Sequence, residues 1–393
     1  MFRSNNYPLL IFTGCLLLLI GACSTQSEAD WTILIYMAAD NGLNNAALAD
    51  INEMEAAVFS DRIRVIVQID NNADNSEPGA FRYHIRADDS PQITSPVITS
   101  LGEIDSGDYL TLRNFIQWGY SRYPARRQAL VIWSHGNGWY NYFNKFCPDH
   151  ESGSSISLPD GDLFNALYNT GFWPDLIILD ACHMQTMEVL AELNGLASYV
   201  IGSEAAVCSD GFPYDDILSG WESVSSPASL AVQIVQQFYE SYLPGGSQNP
   251  TNNFVPVSCS AAAMNKFSEL YARLNELAED WLAFAGAEYF SAAREGCLEF
   301  NDLEADVDIK QFFTLLLNQE IPPELALQAE ALLEQLELCF IAQEYIDLPA
   351  DDIATACLWF PDTAFDFNNL LPEYRRLRFA QSRWDEFLVE FLR

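Results

Sequence analysis

Short apolar runs alternate with amphipathic stretches along the first two-thirds of the chain. Ile33–Met37, Ile63–Ile69, Ala129–Trp133, Leu176–Leu179 and Ser198–Ser203 are mostly apolar and include β-branched residues. Runs of this length predict strands buried on both faces, as in a parallel sheet. Between them Leu48, Ile51, Met54 and Ala57 recur at helical spacing, and Asp108–Tyr120 and Ser229–Tyr242 are amphipathic in the same way. Phe81–Arg86 alternates instead, which puts Tyr83 and Ile85 on an inner face and His84 on a solvated one with Arg82 and Arg86. The alternation of strand and helix predicts an α/β fold, a mainly parallel sheet flanked by helices.

From Ala261 the texture changes to Ala, Leu and Glu. Phe267–Ala285, Ile309–Leu317 and Leu325–Ala342 predict helices with packing stripes, and Trp384, Phe387, Leu388 and Phe391 a terminal one. Phe254–Ser258 and Ile353–Phe360 predict two further strands. A domain boundary is therefore placed near 261, between a sheet domain (31–260) and a mostly helical C-terminal region (261–393).

Residues 1–22 read as a targeting segment. Pro8–Ala22 is apolar, too short for a membrane span and suited to a signal peptide. It ends in Gly21-Ala22-Cys23-Ser24, which resembles a bacterial lipoprotein box with Cys23 as the lipidated residue. Residues 23–30 then form a polar tether. The expected location is the bacterial cell envelope, lipid-anchored, with ordinary cleavage and secretion as the alternative.

Charge narrows the partners. Nineteen Lys and Arg stand against 55 Asp and Glu, a net charge of −36. Nucleic acid is excluded as a partner, because phosphate binding relies on cationic side chains. Cationic substrates remain attractive. Of nine cysteines, Cys15 lies in the signal segment and Cys23 is the expected lipid site. The remaining seven form no C-x-x-C pair, and an odd number in an exported chain leaves room for a free reactive thiol.

Two strand ends carry candidate chemistry. Leu176–Leu179 runs into Asp180-Ala181-Cys182, and helical spacing resumes at Met184. This predicts Cys182 at a strand-to-helix junction, where the helix dipole favours thiolate. Ala129–Trp133 runs into Ser134-His135-Gly136-Asn137-Gly138. The 47 residues from His135 to Cys182 allow one crossover between neighbouring parallel strands. In open α/β sheets ligands bind at the carboxyl ends of strands. A Cys nucleophile with a His acid–base partner is the expected result. The oxyanion is expected against the backbone N–H groups of Gly136 and Cys182. Asp180 lies two residues before Cys182, so both side chains point to one face. Cys147 and His150 lack a further ligand pair, so no metal site is predicted from the residues. No glycine-rich phosphate loop follows the first strand, which disfavours a nucleotide binder.

These blocks, with Trp31–Asn41, Leu101-Gly102-Glu103, Tyr123-Pro124-Ala125, Ser203-Glu204, Gly211-Phe212-Pro213-Tyr214 and Tyr374–Leu388, resemble the clostripain family of cysteine peptidases in the caspase-like clan. The chain departs from the family at Ser134, often Asp, and at His183-Met184-Gln185, where an apolar residue usually follows the Cys. The resemblance implies a caspase-like fold and a Cys182–His135 dyad cleaving peptides after Arg or Lys. It makes Asp180 the acid at the base of the S1 pocket, where the residues alone also allow a helix cap. Asp210 is a second S1 candidate. Calcium is a possible cofactor by the same resemblance, and no other is expected. Family members are often zymogens, and Lys145, in the long Trp139–Asp160 loop, is the expected autocleavage site. The alternative is an inactive cell-surface binding module on the same scaffold.

Overall fold

The computed structural model describes residues 29–141, 145–282, 287–300, 305–348, 353 and 356–392. The targeting segment and Cys23 lie outside the described residues. In chain order the elements are β1 (Ala29–Ala39), α1 (Asn44–Ala56), β2 (Ile63–Asn71), β3 (Gly79–His84), β4 (Val97–Gly102), α2 (Tyr109–Arg122), β5 (Ala125–Trp133) and α3 (Asp162–Tyr168). Next come β6 (Leu176–Asp180), α4 (Met187–Leu193), β7 (Tyr199–Gly202), α5 (Tyr214–Gly220), α6 (Pro227–Tyr242) and β8 (Val257–Ala263). The chain continues with α7 (Met264–Leu282), α8 (Ala287–Glu295), β9 (Asp306–Asp308), α9 (Ile309–Leu317) and α10 (Pro323–Cys339). It ends with β10 (Phe340–Ile346), β11 (Cys357–Trp359), α11 (Ala364–Tyr374) and α12 (Trp384–Phe391).

Nine strands form one sheet in the order β10-β8-β7-β6-β5-β1-β2-β3-β4. The five central strands, β2-β1-β5-β6-β7, run parallel. Antiparallel strands complete both edges. Alternation along β1 splits the core: Leu34, Tyr36 and Ala38 face one layer, Ile33, Ile35 and Met37 the other. The second layer is covered by α1, α5 and α6. The first is covered by α2, α3, α4, α7, α9, α10 and α12. The direction of sheet growth reverses between β1 and β5, and at such a switch point the chain leaves a crevice at the strands' carboxyl ends.

Several boundaries differ from expectation for physical reasons. The helical stripe expected to reach Ala342 stops at Cys339, because Phe340–Ile346 pairs along β8. The boundary expected at residue 261 falls inside β8, and the region after it returns to the sheet as β10. The strand expected from Phe254 starts at Val257, and Phe254 is exposed. The last expected strand shortens to β11, paired with β9. His84 is half-buried against the Tyr123 ring rather than solvated. Burial, reinforced by Arg86 and Arg64, pulls its imidazole down to about 4. No helix among the described residues is long and apolar enough to cross a membrane.

Candidate active site

The ends of β1, β5 and β6 are laced together at Ser134. Its N–H donates to the Asp180 carbonyl at 3.2 Å and its hydroxyl to the Ala38 carbonyl at 2.8 Å. The departure from Asp at this position therefore has a structural use: a short hydroxyl joins adjacent strand ends where a carboxylate could only accept. His135 follows directly, half-buried, at the mouth of the crevice.

Cys182 follows β6 in a turn, not at a helix N-terminus. The helix α4 starts only at Met187, with the Thr186 hydroxyl accepting from Val189 N. The intervening N–H groups turn sideways: His183 N donates to Ala205 O and Gln185 N to Ser203 O. His183 takes a left-handed conformation, φ 58°, and its Nδ1 sits 2.7 Å from Glu204 O. Gln185 is fully buried and donates to Ser260 Oγ at 2.9 Å. These partners accommodate the polar residues that follow the Cys. The expected dipole activation is absent from this arrangement, since α4 begins five residues away. Burial instead pushes the Cys182 thiol up, opposed by the Val207 hydrogen bond. Burial, then His150, pulls the His135 imidazole down. Both shifts favour a neutral thiol beside a neutral imidazole.

His135, Cys182 and Asp180 line one cavity of about 200 Å³ together with Trp133, Val207 and Gly211. The thiol contacts the loop after β7: Val207 N donates to Sγ at 3.3 Å, and Sγ lies 3.5 Å from Val207 O. Asp180 is 3% exposed. It accepts from the Tyr214 hydroxyl at 2.8 Å, and burial lifts its carboxyl to about 6. It caps no helix; Thr186 performs that task for α4. Asp210 is exposed and lies outside this cavity, beside the neighbouring grooves. Gly136 is buried against the Cys182 turn, where an added Cβ would fall 2.6 Å from the Cys182 carbonyl oxygen. Its lack of a side chain admits the Cys182 turn. Among the described residues all seven cysteines are free.

Asp50 was not legible in the sequence. It lies on α1 and accepts from Trp133 Nε1 at 2.7 Å. A Cβ built on Gly211 would lie 3.2 Å from Asp180 Oδ2 and 3.4 Å from Asp50 Oδ2, so the two acids flank one point. Nothing in the spacing of α1 marks Asp50; only its tertiary contacts do.

The clostripain family model matches residues 35–330. Clostripain from Hathewaya histolytica is 28% identical over 219 residues. That match covers 47% of this chain and spans only 41% of clostripain. Among solved structures, an inactive zymogen C11 protease from Parabacteroides distasonis has a TM-score of 0.70 at 20% identity, covering 90% of this chain and 98% of that one. A secreted C11 cysteine protease from Bacteroides thetaiotaomicron, solved with an irreversible peptide inhibitor, has a TM-score of 0.67 at 23% identity, with 88% and 98% covered. At these identities both structures speak for the fold, a caspase-like sheet flanked by helices.

Proposed function

The chain belongs to the clostripain family, and from that premise we propose that it is a cysteine endopeptidase cleaving after Arg and Lys. The observation that carries the reading is the shared cavity: Cys182, His135 and Asp180 line it from the ends of adjacent parallel strands. The Cys182 Sγ attacks the scissile carbonyl while His135 takes its proton. His135 then protonates the leaving amine, and in deacylation it removes a proton from water. A neutral resting pair means that the proton moves with the attack rather than before it. The Gly136 and Cys182 N–H groups are the proposed oxyanion donors. Asp180 selects the cationic side chain, as the S1 acid, and Asp210 assists from the rim.

Hydrolysis of Arg, Lys and Asp fluorogenic peptides by wild type and Cys182→Ala tests this reading. Cleavage of the Arg and Lys peptides, lost in Cys182→Ala, is expected; equal cleavage after Asp would refute it. An arginyl chloromethyl ketone should label Cys182, which a dead binding scaffold would not permit.

The proposed location is the cell envelope, with the precursor cut before Cys23 and lipid attached there. One acyl chain anchors weakly and several anchor stably. Labelled palmitate should enter wild type in a bacterial host and be absent from Cys23→Ala.

A further inference from the structure

The parallel strands have two poles, and the crevice occupies only one of them, at the carboxyl ends of β5 and β6. At the other pole the strands begin. The nine residues of β5 separate the two by about 30 Å. Ala29 enters β1 there beside Ala125 of β5, and Trp31 beside Ile63 of β2. Arg62, Arg126 and Arg127 line a groove of about 300 Å³ at this pole, with Asp30 and Glu222 as its acids. Cations thus outnumber acids three to two in the groove, while the whole chain has 19 Lys and Arg against 55 Asp and Glu. Asp30 pairs with Arg62 and, at 3.8 Å, with Arg126, yet those arginine side chains stay 63% and 65% exposed. Arg127 lies over the Trp31 ring at 5.6 Å. Arg64 donates to Pro124 O at 3.1 Å, and Arg122, the last residue of α2, is exposed beside Tyr123. Two further acids border the group: Asp175, which accepts from Gln128 N, and Asp61, paired with Arg86. Trp173, just before β6, is 62% exposed.

This pole is also where the chain arrives from Cys23. Five residues, 24–28, separate Cys23 from Ala29, and fully extended they reach at most about 20 Å. A lipid at Cys23 therefore keeps the pole within roughly two to three Debye lengths of the headgroups. An anionic leaflet repels a body of net charge −36, but it attracts arginines that lie close to its surface. We propose that the amino-end pole of the sheet docks on an anionic bilayer, with Arg62, Arg122, Arg126 and Arg127 against lipid phosphates and Trp173 in the headgroup layer. The proposal rests on the envelope location given above. An indole is suited to that depth, because its ring is apolar and its N–H polar. A contact too weak to hold a free chain is populated once a short tether supplies an effective concentration in the mM range. Docked in this way, the crevice faces away from the lipid and stays open to peptides in solution.

The test uses the Cys182→Ala chain from Ser24, which keeps every described residue, with a hexahistidine lead in place of the lipid. Vesicles containing a nickel-chelating lipid hold it, so delivery does not depend on Cys23, and palmitate labelling tests that reading separately. Phosphatidylcholine vesicles are compared with equal parts of phosphatidylcholine and phosphatidylglycerol. Release by imidazole should be at least roughly tenfold slower from the anionic vesicles, the scale of one or two arginines at such a surface, and high salt should remove the difference. Brominated phosphatidylglycerol should quench tryptophan emission relative to the unbrominated lipid, and Trp173→Phe should abolish that quenching. Arg62→Gln, Arg122→Gln and Arg126→Gln together should equalise the two release rates at unchanged Tm. Arg273→Gln, Arg376→Gln and Arg383→Gln together remove the same charge from exposed helical positions and should leave the difference in place. Equal release of the starting chain from both vesicles overturns the proposal. So does a difference that survives the loss of Arg62, Arg122 and Arg126, one that the second triple variant abolishes equally, or quenching that persists in Trp173→Phe.

Discussion

The Tyr214 hydroxyl donates to Asp180 across 2.8 Å, from the first residue of α5 to the last of β6, with both side chains buried. The phenol favours the charged carboxylate, while burial opposes it and leaves the carboxyl at about 6. If Asp180 binds the cationic P1 side chain, kcat/KM for Arg peptides should fall as pH drops through about 6. Tyr214→Phe removes a bond to the charged form and should move this acid limb to higher pH. Asp180→Asn should lower kcat/KM at least roughly tenfold. An unchanged rate in Asp180→Asn would take Asp180 out of the pocket.

The thiol of Cys182 should alkylate slowly at neutral pH. Burial raises it above the ordinary cysteine value, and thiolate is the reactive form. The rate of iodoacetamide labelling at the Cys182 peptide, followed by mass spectrometry, is expected to climb with a midpoint above about 8.5. A plateau by pH 7 would show that the neighbours activate it instead.

Stability should decline as pH rises. Burial lifts the carboxyls of Glu53 and Glu188 to about 8 and that of Glu192 to about 7. Unfolded, each titrates near about 4.3. Below that value both states hold the proton and the contribution is complete. Between the two values the unfolded state gives up protons that the folded state keeps, so the contribution is lost as pH climbs through the folded pKa. Tm is expected to be higher near about pH 5 than near about pH 8. Glu188→Gln should flatten the difference, because its Oε1 already accepts from Tyr374 and Trp359 N while Oε2 has no partner.

Gly136→Ala should harm fold and activity together. The new Cβ meets the Cys182 carbonyl at 2.6 Å and the Ala181 Cβ at 2.9 Å. Overpacking of this kind costs about 1–3 kcal/mol, to be read from a denaturant midpoint at unchanged slope. A variant of wild-type stability and rate would show that the turn yields freely.

Autocleavage is proposed between Lys145 and Phe146. Lys145 is half-exposed. Phe146 is 1% exposed and its carbonyl accepts from Ile156 N at 3.0 Å, so the downstream fragment should stay docked after the cut. Wild type should resolve into two bands on a denaturing gel, with Phe146 at the new N-terminus, and Cys182→Ala should stay intact. A single-chain, fully active wild type would remove the proposal.

The parallel centre of the sheet was legible because its strands are buried on both faces and so read as mainly apolar runs. The helices α2, α6 and α9 were legible from their stripes. The missing pieces are those decided by distant partners. Phe340 continues a helical stripe in sequence, yet pairing with Ala262 draws it into a strand. The residues after Cys182 have helical spacing, but their N–H groups find Ala205 and Ser203 first. His135, Cys182 and Asp180 were legible from their positions at strand ends. Asp50 was not, since its place beside Asp180 depends on α1 packing over the strand end occupied by Trp133.

The late arrival of β10 sets a timetable for folding. Ribosomes deliver chains from the N-terminus, at about 5–20 residues per second. Both proposed reacting side chains and the proposed S1 acid emerge by residue 182, yet β8 keeps a bare edge until residues 340–346 follow. An exposed strand edge invites pairing with other chains. A ribosome stalled after β8 is made and before β10 follows would therefore carry an almost finished crevice on a sheet still open to mispairing.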